Sequence, residues 1–266
     1  MKTEIKITKA DPAGNITLLI DGPVPKGKYA QLASALMKTP GLEAEQAGFI
    51  TRPLHGGAGR LEMSGGEFCG NAARAFGYYL ALKSGEKRTQ IPVEISGAEE
   101  PVMTESDTEN ATAFSEMPLP REISVITLPE PFGKCCAVRF DGITHIIAIG
   151  VPEDMQLFIA ARDYIYKSST PAALGVLFVS EDKQSLVPYV YVAGTKTVFR
   201  EGSCGSGTAA LCAAEAYKSG KSTAIAVAQP AGEIEAEATV TDGKISRLKI
   251  GGSVKLYDAV SATADI

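Results

Sequence analysis

Cys69 and Cys204 are each followed by glycine, and each opens an Ala-rich apolar stretch ending 16 residues later in the same tripeptide, Lys83-Ser84-Gly85 and Lys218-Ser219-Gly220. A thiol placed where helical residues begin lies beside backbone N–H groups without intrahelical partners, at the positive end of the macrodipole. That environment favours thiolate over thiol. One such cysteine could be a nucleophile, a redox sensor or a buried apolar residue. Two in equivalent places of a duplicated fold point to a pair acting on one ligand from opposite sides, as a two-base proton-transfer enzyme requires. Cys135, Cys136 and Cys212 have no matched counterpart and are expected in the core, where free cysteine packs as a small hydrophobe.

The chemistry follows from those two positions. The α-proton of an amino acid is weakly acidic, so its removal needs stabilisation of the developing negative charge. Many enzymes use a pyridoxal electron sink. Nothing in this chain specifically supports such a cofactor, and none is expected. Two helix starts offer another route, in which the N–H groups of Gly70, Asn71, Gly205 and Ser206 face the substrate carboxylate. Glycine after each cysteine lets a ligand approach the backbone closely. Inversion of a stereocentre then needs a base on one face and an acid on the other. Two coupled thiols, one ionised and one protonated, meet that need and exchange roles in the reverse reaction.

The elements that position the cysteines are also written twice. A shift of 135 residues places Cys69 on Cys204, Ala75 on Ala210, Gly85 on Gly220 and Gly97 on Gly232. A shift near 128 aligns Gly14-Asn15-Ile16-Thr17 with Gly142-Ile143-Thr144-His145. The unit to be explained is therefore a half chain. In the first half, helical spacing covers Tyr29, Leu32, Ala33, Leu36 and Met37, between apolar strand runs at 16–20 and 46–50. The second half repeats this with strands at 146–149, 175–179 and 187–192 and a helix around 157–166. Asp242-Gly243 marks a hairpin between strands at 233–240 and 245–250. The Cys-Gly helices are apolar on most faces and must be surrounded. The expected fold is α+β, with two pseudo-symmetric lobes, each an antiparallel barrel-like sheet wrapped around a central helix. The expected boundaries are 1–118 and 119–266, with the last strand free to return to the first lobe. Neither glycine-rich segment is a dinucleotide or Walker fingerprint.

Composition bounds the partners. The 266 residues are 45% apolar and 21% charged, enough for each half to bury a core without staples. A net charge of -5, with scattered Lys and Arg, gives no basic face for nucleic acid. No apolar run reaches membrane-spanning length, and Met1 to Gly14 lacks a signal-peptide core. Five cysteines, an odd number, argue for free thiols and a cytoplasmic location. Two histidines and no Cys-x-x-Cys pair argue against a metal centre. A small molecule is the expected partner.

Met-Ser-Gly-Gly-Glu-Phe-Cys-Gly-Asn-Ala-Ala-Arg-Ala at 63–75 and Glu-Gly-Ser-Cys-Gly-Ser-Gly-Thr-Ala-Ala at 201–210 resemble the two cysteine motifs of the diaminopimelate epimerase family of cofactor-independent amino-acid racemases and epimerases. The opening Asp11-Pro-Ala-Gly-Asn15 is similar to that family's first motif, and the likeness spans essentially the whole chain. It implies the two-lobed fold, Cys69 and Cys204 as acid/base partners, and Gly70, Asn71, Gly205 and Ser206 as carboxylate binders. It also implies Asn15 and Glu201 as substrate contacts and a homodimer as the assembly. His145 falls near a histidine-containing family segment but lacks the neighbouring Asn. A lone His at a strand start is read as structural, so it is left off the catalytic set.

The chain departs from diaminopimelate enzymes where they grip a second amino-acid head. Phe199-Arg200-Glu201-Gly202-Ser203 runs directly into Cys204, and Glu62-Met63-Ser64 replaces an Asn-rich stretch. These short forms, with Glu45-Gln46-Ala47-Gly48-Phe49-Ile50 and Gln229-Pro230, resemble the histidine racemases that supply D-histidine for opine-type metallophores. The resemblance implies that Glu45 faces an imidazole, though Glu43 lies close enough to compete for that place. Histidine is the expected substrate. Diaminopimelate epimerase, proline or hydroxyproline racemase and a non-catalytic amino-acid binder are the rival readings.

Overall fold

A computed structural model of the chain describes residues 2–265 and divides it into two compact units. The first runs to Glu116 and takes in the chain again from Gly251; the second is Met117–Ile250. In the first unit, β1 (Lys2–Asp11) and β2 (Thr17–Asp21) pair antiparallel, and α1 (Tyr29–Leu36) crosses to β3 (Gln46–Thr51), parallel to β2. Next come β4 (Arg60–Met63), α2 (Gly70–Ser84), β5 (Arg88–Ile95), β6 (Val102–Asp107) and β7 (Thr112–Glu116).

The second unit repeats this order. A preceding strand β8 (Glu122–Leu128) leads into β9 (Gly133–Arg139), β10 (Ile143–Ile149), α3 (Met155–Tyr166) and β11 (Ala173–Val179). These are followed by β12 (Leu186–Val192), β13 (Thr197–Arg200), α4 (Gly205–Ser219), β14 (Thr223–Gln229), β15 (Gly232–Thr241) and β16 (Lys244–Gly251). The chain then gives β17 (Lys255–Leu256) and β18 (Val260–Asp265), both antiparallel to β1 of the first unit.

The barrel-like, all-antiparallel sheets expected from the sequence are not what forms. Both sheets are open and mixed. In the second unit the order β13-β12-β11-β10-β9-β8 has two unjoined ends, and β10 runs parallel to β11. In the first unit the order β7-β6-β5-β4-β3-β2-β1 ends on the returning strands, with parallel joins at β2/β3 and β4/β5. A parallel join needs a long crossover, here supplied by α1, α2 and α3, and a helix laid on a sheet face covers it without closure. Closure would require the edge strands to pair. At the β13 edge all four residues stay exposed.

α2 and α4 are built alike. Cys69 and Cys204 are their N-caps, both in extended conformation, and Gly85 and Gly220 close them in the left-handed region at φ 75° and 66°. Small side chains let the strands come close. A Cβ on Gly77 of α2 would lie 2.2 Å from Thr104 Oγ1 on β6, so only glycine fits there. α2 is buried almost throughout its first ten residues, among Leu61, Met63, Val93, Ile95 and Ala113. α1 covers the other face through Tyr29, which stacks on Phe49 with ring centroids 3.8 Å apart. In the second unit α3 buries Leu157, Phe158, Ala161 and Ile165 against β10 and β11. The Asp242-Gly243 turn has φ 52° and 73°, as a tight hairpin requires. Among the described residues no helix is long and apolar enough to cross a membrane.

Candidate active site

The first unit assembles a polar network around Cys69. The N–H of Ala72 donates to Cys69 Sγ at 3.4 Å, and Asn15 Oδ1 lies 4.0 Å from the same sulfur. Asn15 is held from two sides. Its amide donates to Glu45 Oε2 at 2.6 Å, and its carbonyl oxygen accepts from Gln46 Nε2 at 2.6 Å. Gln46 also donates to Thr17 Oγ1 at 2.8 Å, a contact dictated by register, since Thr17 faces Gln46 across the parallel β2/β3 pair. The turn before β2 is set by Asp11 Oδ1, which accepts from Gly14 N, with Ala13 and Gly14 at positive φ.

Glu43 and Glu45 separate clearly. Glu43 accepts from the Gly41 N–H within its own loop, whereas Glu45 is the carboxylate on Asn15. Loss of solvent around the Glu45 carboxyl raises its pKa, and the Asn15 amide partly offsets the rise. Gly70 and Asn71 lie buried in the first turn of α2. The Asn71 side chain faces inward, accepting from Arg74 Nε at 3.1 Å, while Arg74 Nη1 donates to the carbonyls of Gly252 and Ser253.

The second unit holds Cys204 more tightly. Its N–H donates to Gln229 Oε1 at 2.8 Å, Gln229 Nε2 donates to Thr208 Oγ1 at 2.8 Å, and Thr208 Oγ1 donates to Cys204 O at 2.9 Å. The sulfur is 3.6 Å from Ser206 Oγ, which is 2.9 Å from His145 Nε2. Gly205 is buried in the first turn of α4. A Cβ on Gly207 would sit 2.8 Å from Leu177 Cδ2, displacing that side chain, and 3.4 Å from Cys204 Sγ. Glu201 is fixed by its N–H on Pro188 O and presents its charge to the Cys204 sulfur.

Helix position favours ionisation of both thiols, but their surroundings as a whole act the other way. Burial pushes the Cys69 thiol up, opposed by the N–H of Ala72, the side chain of Gln46 and the N–H of Asn71. Cys204 is pushed well up, first by burial and then by the charge of Glu201, with Ser206 and Gly207 opposing. The helix-start donors act on both sulfurs, but loss of solvent outweighs them. Cys135 and Cys212 are buried, Cys136 is half-buried, and all five cysteines are free.

Gln46, Gln229, Thr208 and His145 are the residues that the spacing of the cysteines does not reveal. Gln46, Gln229 and His145 reach the cysteines across strand register or from another element, and Thr208 lies one turn along α4 from Cys204. Among the described residues no group of three His, Cys, Asp or Glu is placed to hold a metal ion.

The chain matches the family profile described as the histidine racemase CntK N-terminal domain over residues 4–262. A histidine racemase of Fusobacterium nucleatum subsp. nucleatum is 34% identical over 212 residues, covering 76% of this chain and 78% of that protein. One from Staphylococcus aureus strain Mu50 is 26% identical over 264 residues, 94% of this chain and 93% of its own. Among solved structures, a hydroxyproline epimerase from Agrobacterium vitis superposes with a TM-score of 0.66 at 13% identity, over 98% of this chain and 92% of that one. A phenazine biosynthesis protein of Bacillus anthracis gives 0.66 at 10% identity, over 98% and 99%. These structural likenesses carry the fold; the sequence matches carry the family. The chain belongs to the histidine racemase family of cofactor-independent amino-acid racemases and epimerases.

Proposed function

We propose that this isomerase interconverts L- and D-histidine, with Cys69 and Cys204 as its acid/base pair. One sulfur, as thiolate, takes the α-proton and becomes a thiol. The other thiol gives its proton to the opposite face of the carbon and becomes the thiolate. Charge on the enzyme is conserved, and each turnover leaves the roles exchanged. The substrate carboxylate faces the N–H groups at the starts of α2 and α4, where Gly70, Asn71, Gly205 and Ser206 stand.

The observation that carries the substrate is the Asn15 bridge. It couples the Glu45 carboxylate to the Cys69 sulfur through one side chain, so an acceptor for an imidazole N–H is fixed relative to the reacting thiol. Glu201 supports the second thiol by holding it protonated until it is called on as the acid. The relatives named above are described as histidine racemases, which supports the same substrate. Free cysteines throughout support a reducing, cytoplasmic setting. A homodimer is the assembly carried by the family resemblance, and light scattering of the purified protein tests it.

The experiment is α-deuterium incorporation in heavy water without pyridoxal phosphate. L-Histidine is expected to exchange and racemise. Exchange confined to diaminopimelate or proline would overturn the substrate, and no exchange with any amino acid would overturn the reaction.

A further inference from the structure

β13 carries different chemistry on its two faces. Arg200 stands opposite Tyr189 in the β12/β13 register, and both reach one carboxylate: Tyr189 Oη donates to Glu153 Oε2 at 2.7 Å, and Arg200 donates to both Glu153 oxygens, from Nε at 2.8 Å and Nη2 at 3.0 Å. That face is turned toward α3, since Tyr189 packs edge-on against Phe178 and tilted against Phe158. Side chains alternate along a strand, so Phe199 and Glu201 point the other way. Glu201 agrees, for its N–H continues the pairing on Pro188 O and its charge falls on the Cys204 sulfur.

The second face is the one on which α4 starts. Register places Phe199 opposite Val190, Val190 opposite Gly175, and Gly175 opposite His145, whose ring meets Ser206 in the first turn of α4. In the next row Leu177, opposite Pro188, lies against Gly207. Within the first row His145 and Val190 are buried, whereas Phe199, on the strand that ends the sheet, is 52% exposed. A half-exposed phenylalanine alone needs no explanation. This one stands about 7 Å along the strand from the carboxylate-bearing residue that faces Cys204. The Glu153 clamp fastens Arg200 between them, so the direction of both neighbours is fixed.

We propose that Phe199 is a specificity-determining residue, taking the flat aromatic side chain of the substrate against its ring while the reacting carbon lies at Cys204. This rests on the reading of histidine as the substrate. An imidazole packed on the phenyl ring covers apolar surface that is otherwise left in water, and the two rings suit offset or edge-on contact. Stacking uses the face of the imidazole and leaves its N–H edge for a carboxylate. A side chain ending in a carboxylate would instead meet the negative face of the ring, with Glu201 beside it. Phe199 therefore selects the side chain and leaves proton transfer to the thiols.

The chain contains no tryptophan, so Phe199→Trp introduces a single indole at this edge. Added L-histidine is expected to change its emission saturably. Val125→Trp, on β8 at the opposite end of the same sheet and 72% exposed, controls for collisional quenching and should show no saturation. In rate measurements, Phe199→Ala should raise KM for histidine about tenfold and change kcat far less, with the melting temperature near wild type. Phe199→Tyr should keep KM close to wild type, and Phe199→Leu, apolar but without a ring, should fall between. An unchanged KM in Phe199→Ala, or an indole that histidine leaves unmoved while the wild-type protein racemises histidine, would overturn the proposal and leave the reaction standing. Emission that follows protein concentration and not histidine would make this edge a contact between copies and would overturn it too. If the wild-type protein does not act on histidine and the indole does not respond, both readings fall.

Discussion

Gln229 closes a ring through the backbone of Cys204, accepting its N–H and, by way of Thr208, reaching its carbonyl. The same shift that superposes the cysteines places Glu94 on Gln229, near the end of β5 as Gln229 ends β14. The duplicated position has been put to two uses. In the second unit it fixes the residue that caps α4. In the first it gathers the loop before β4, with Glu94 accepting from the N–H groups of Leu54, His55 and Gly57 and from Arg60 Nη1.

Replacing Gln229 by Leu strands the Cys204 N–H in a buried site and takes from the Thr208 hydroxyl the N–H it accepts, leaving its own donation to Cys204 O. A destabilisation of about 1–3 kcal/mol is expected. Misplacement of the sulfur should lower kcat about tenfold or more beyond that loss of folded protein. Urea titration measures the first and initial rates on the folded fraction the second.

Glu94 gives the pH prediction. Its carboxyl is held down to about 2, opposing its own burial through the donors at Leu54, His55, Gly57 and Arg60. A depressed folded pKa stabilises the protein above the unfolded value of 4.5, and that contribution is lost as pH falls toward 2. The melting-temperature gap between wild type and Glu94→Gln should therefore be widest at pH 6–7 and shrink steadily between pH 4.5 and 2. A constant gap across that window would contradict it.

Glu45→Ala should separate binding from folding. Much of the residue lies in solvent and only its carboxyl is partly desolvated beside Asn15, so its thermal midpoint should stay near wild type. KM for histidine should rise about 10- to 100-fold, the range expected for losing a charge-assisted hydrogen bond. Gln46→Leu should give a milder version, because it frees Asn15 without removing the carboxylate.

Cys69→Ser and Cys204→Ser should each lower racemisation by about 10²-fold or more while leaving the circular-dichroism spectrum and melting curve close to wild type. A chiral assay of histidine reads the loss. If either variant kept wild-type activity, the exchange of roles between two thiols would be untenable.

Much of the architecture was legible because it is written locally. The Cys-Gly starts and the Lys-Ser-Gly ends delimit α2 and α4, since a capping sulfur and a left-handed glycine are single-residue signals. Asp242-Gly243 announced its hairpin for the same reason. The closure of the sheets was misread. Apolar periodicity tells which residues face a core but not which strand is the neighbour, and the parallel joins at β2/β3 and β10/β11 depend on that choice. The site shows the same division. Motif resemblance names Asn15 and Glu45, which the structure joins by a hydrogen bond, but Gln46 gains its place only when β3 is registered on β2. His145 looked structural as an isolated strand residue. Its contact with Ser206 spans 61 positions, and no local pattern announces it.

The guanidinium of Arg74, buried within α2, takes its two backbone acceptors from Gly252 and Ser253, and the neighbouring Val254 N–H binds Ala111 O. Residues of α2 are thus completed by residues made 178 and 179 positions later. On the ribosome, the Cys69 framework waits with an unfinished sheet while the whole second unit is translated. Any fusion or truncation that disturbs residues 251–265 reaches the amino-terminal cysteine before it touches the carboxy-terminal one.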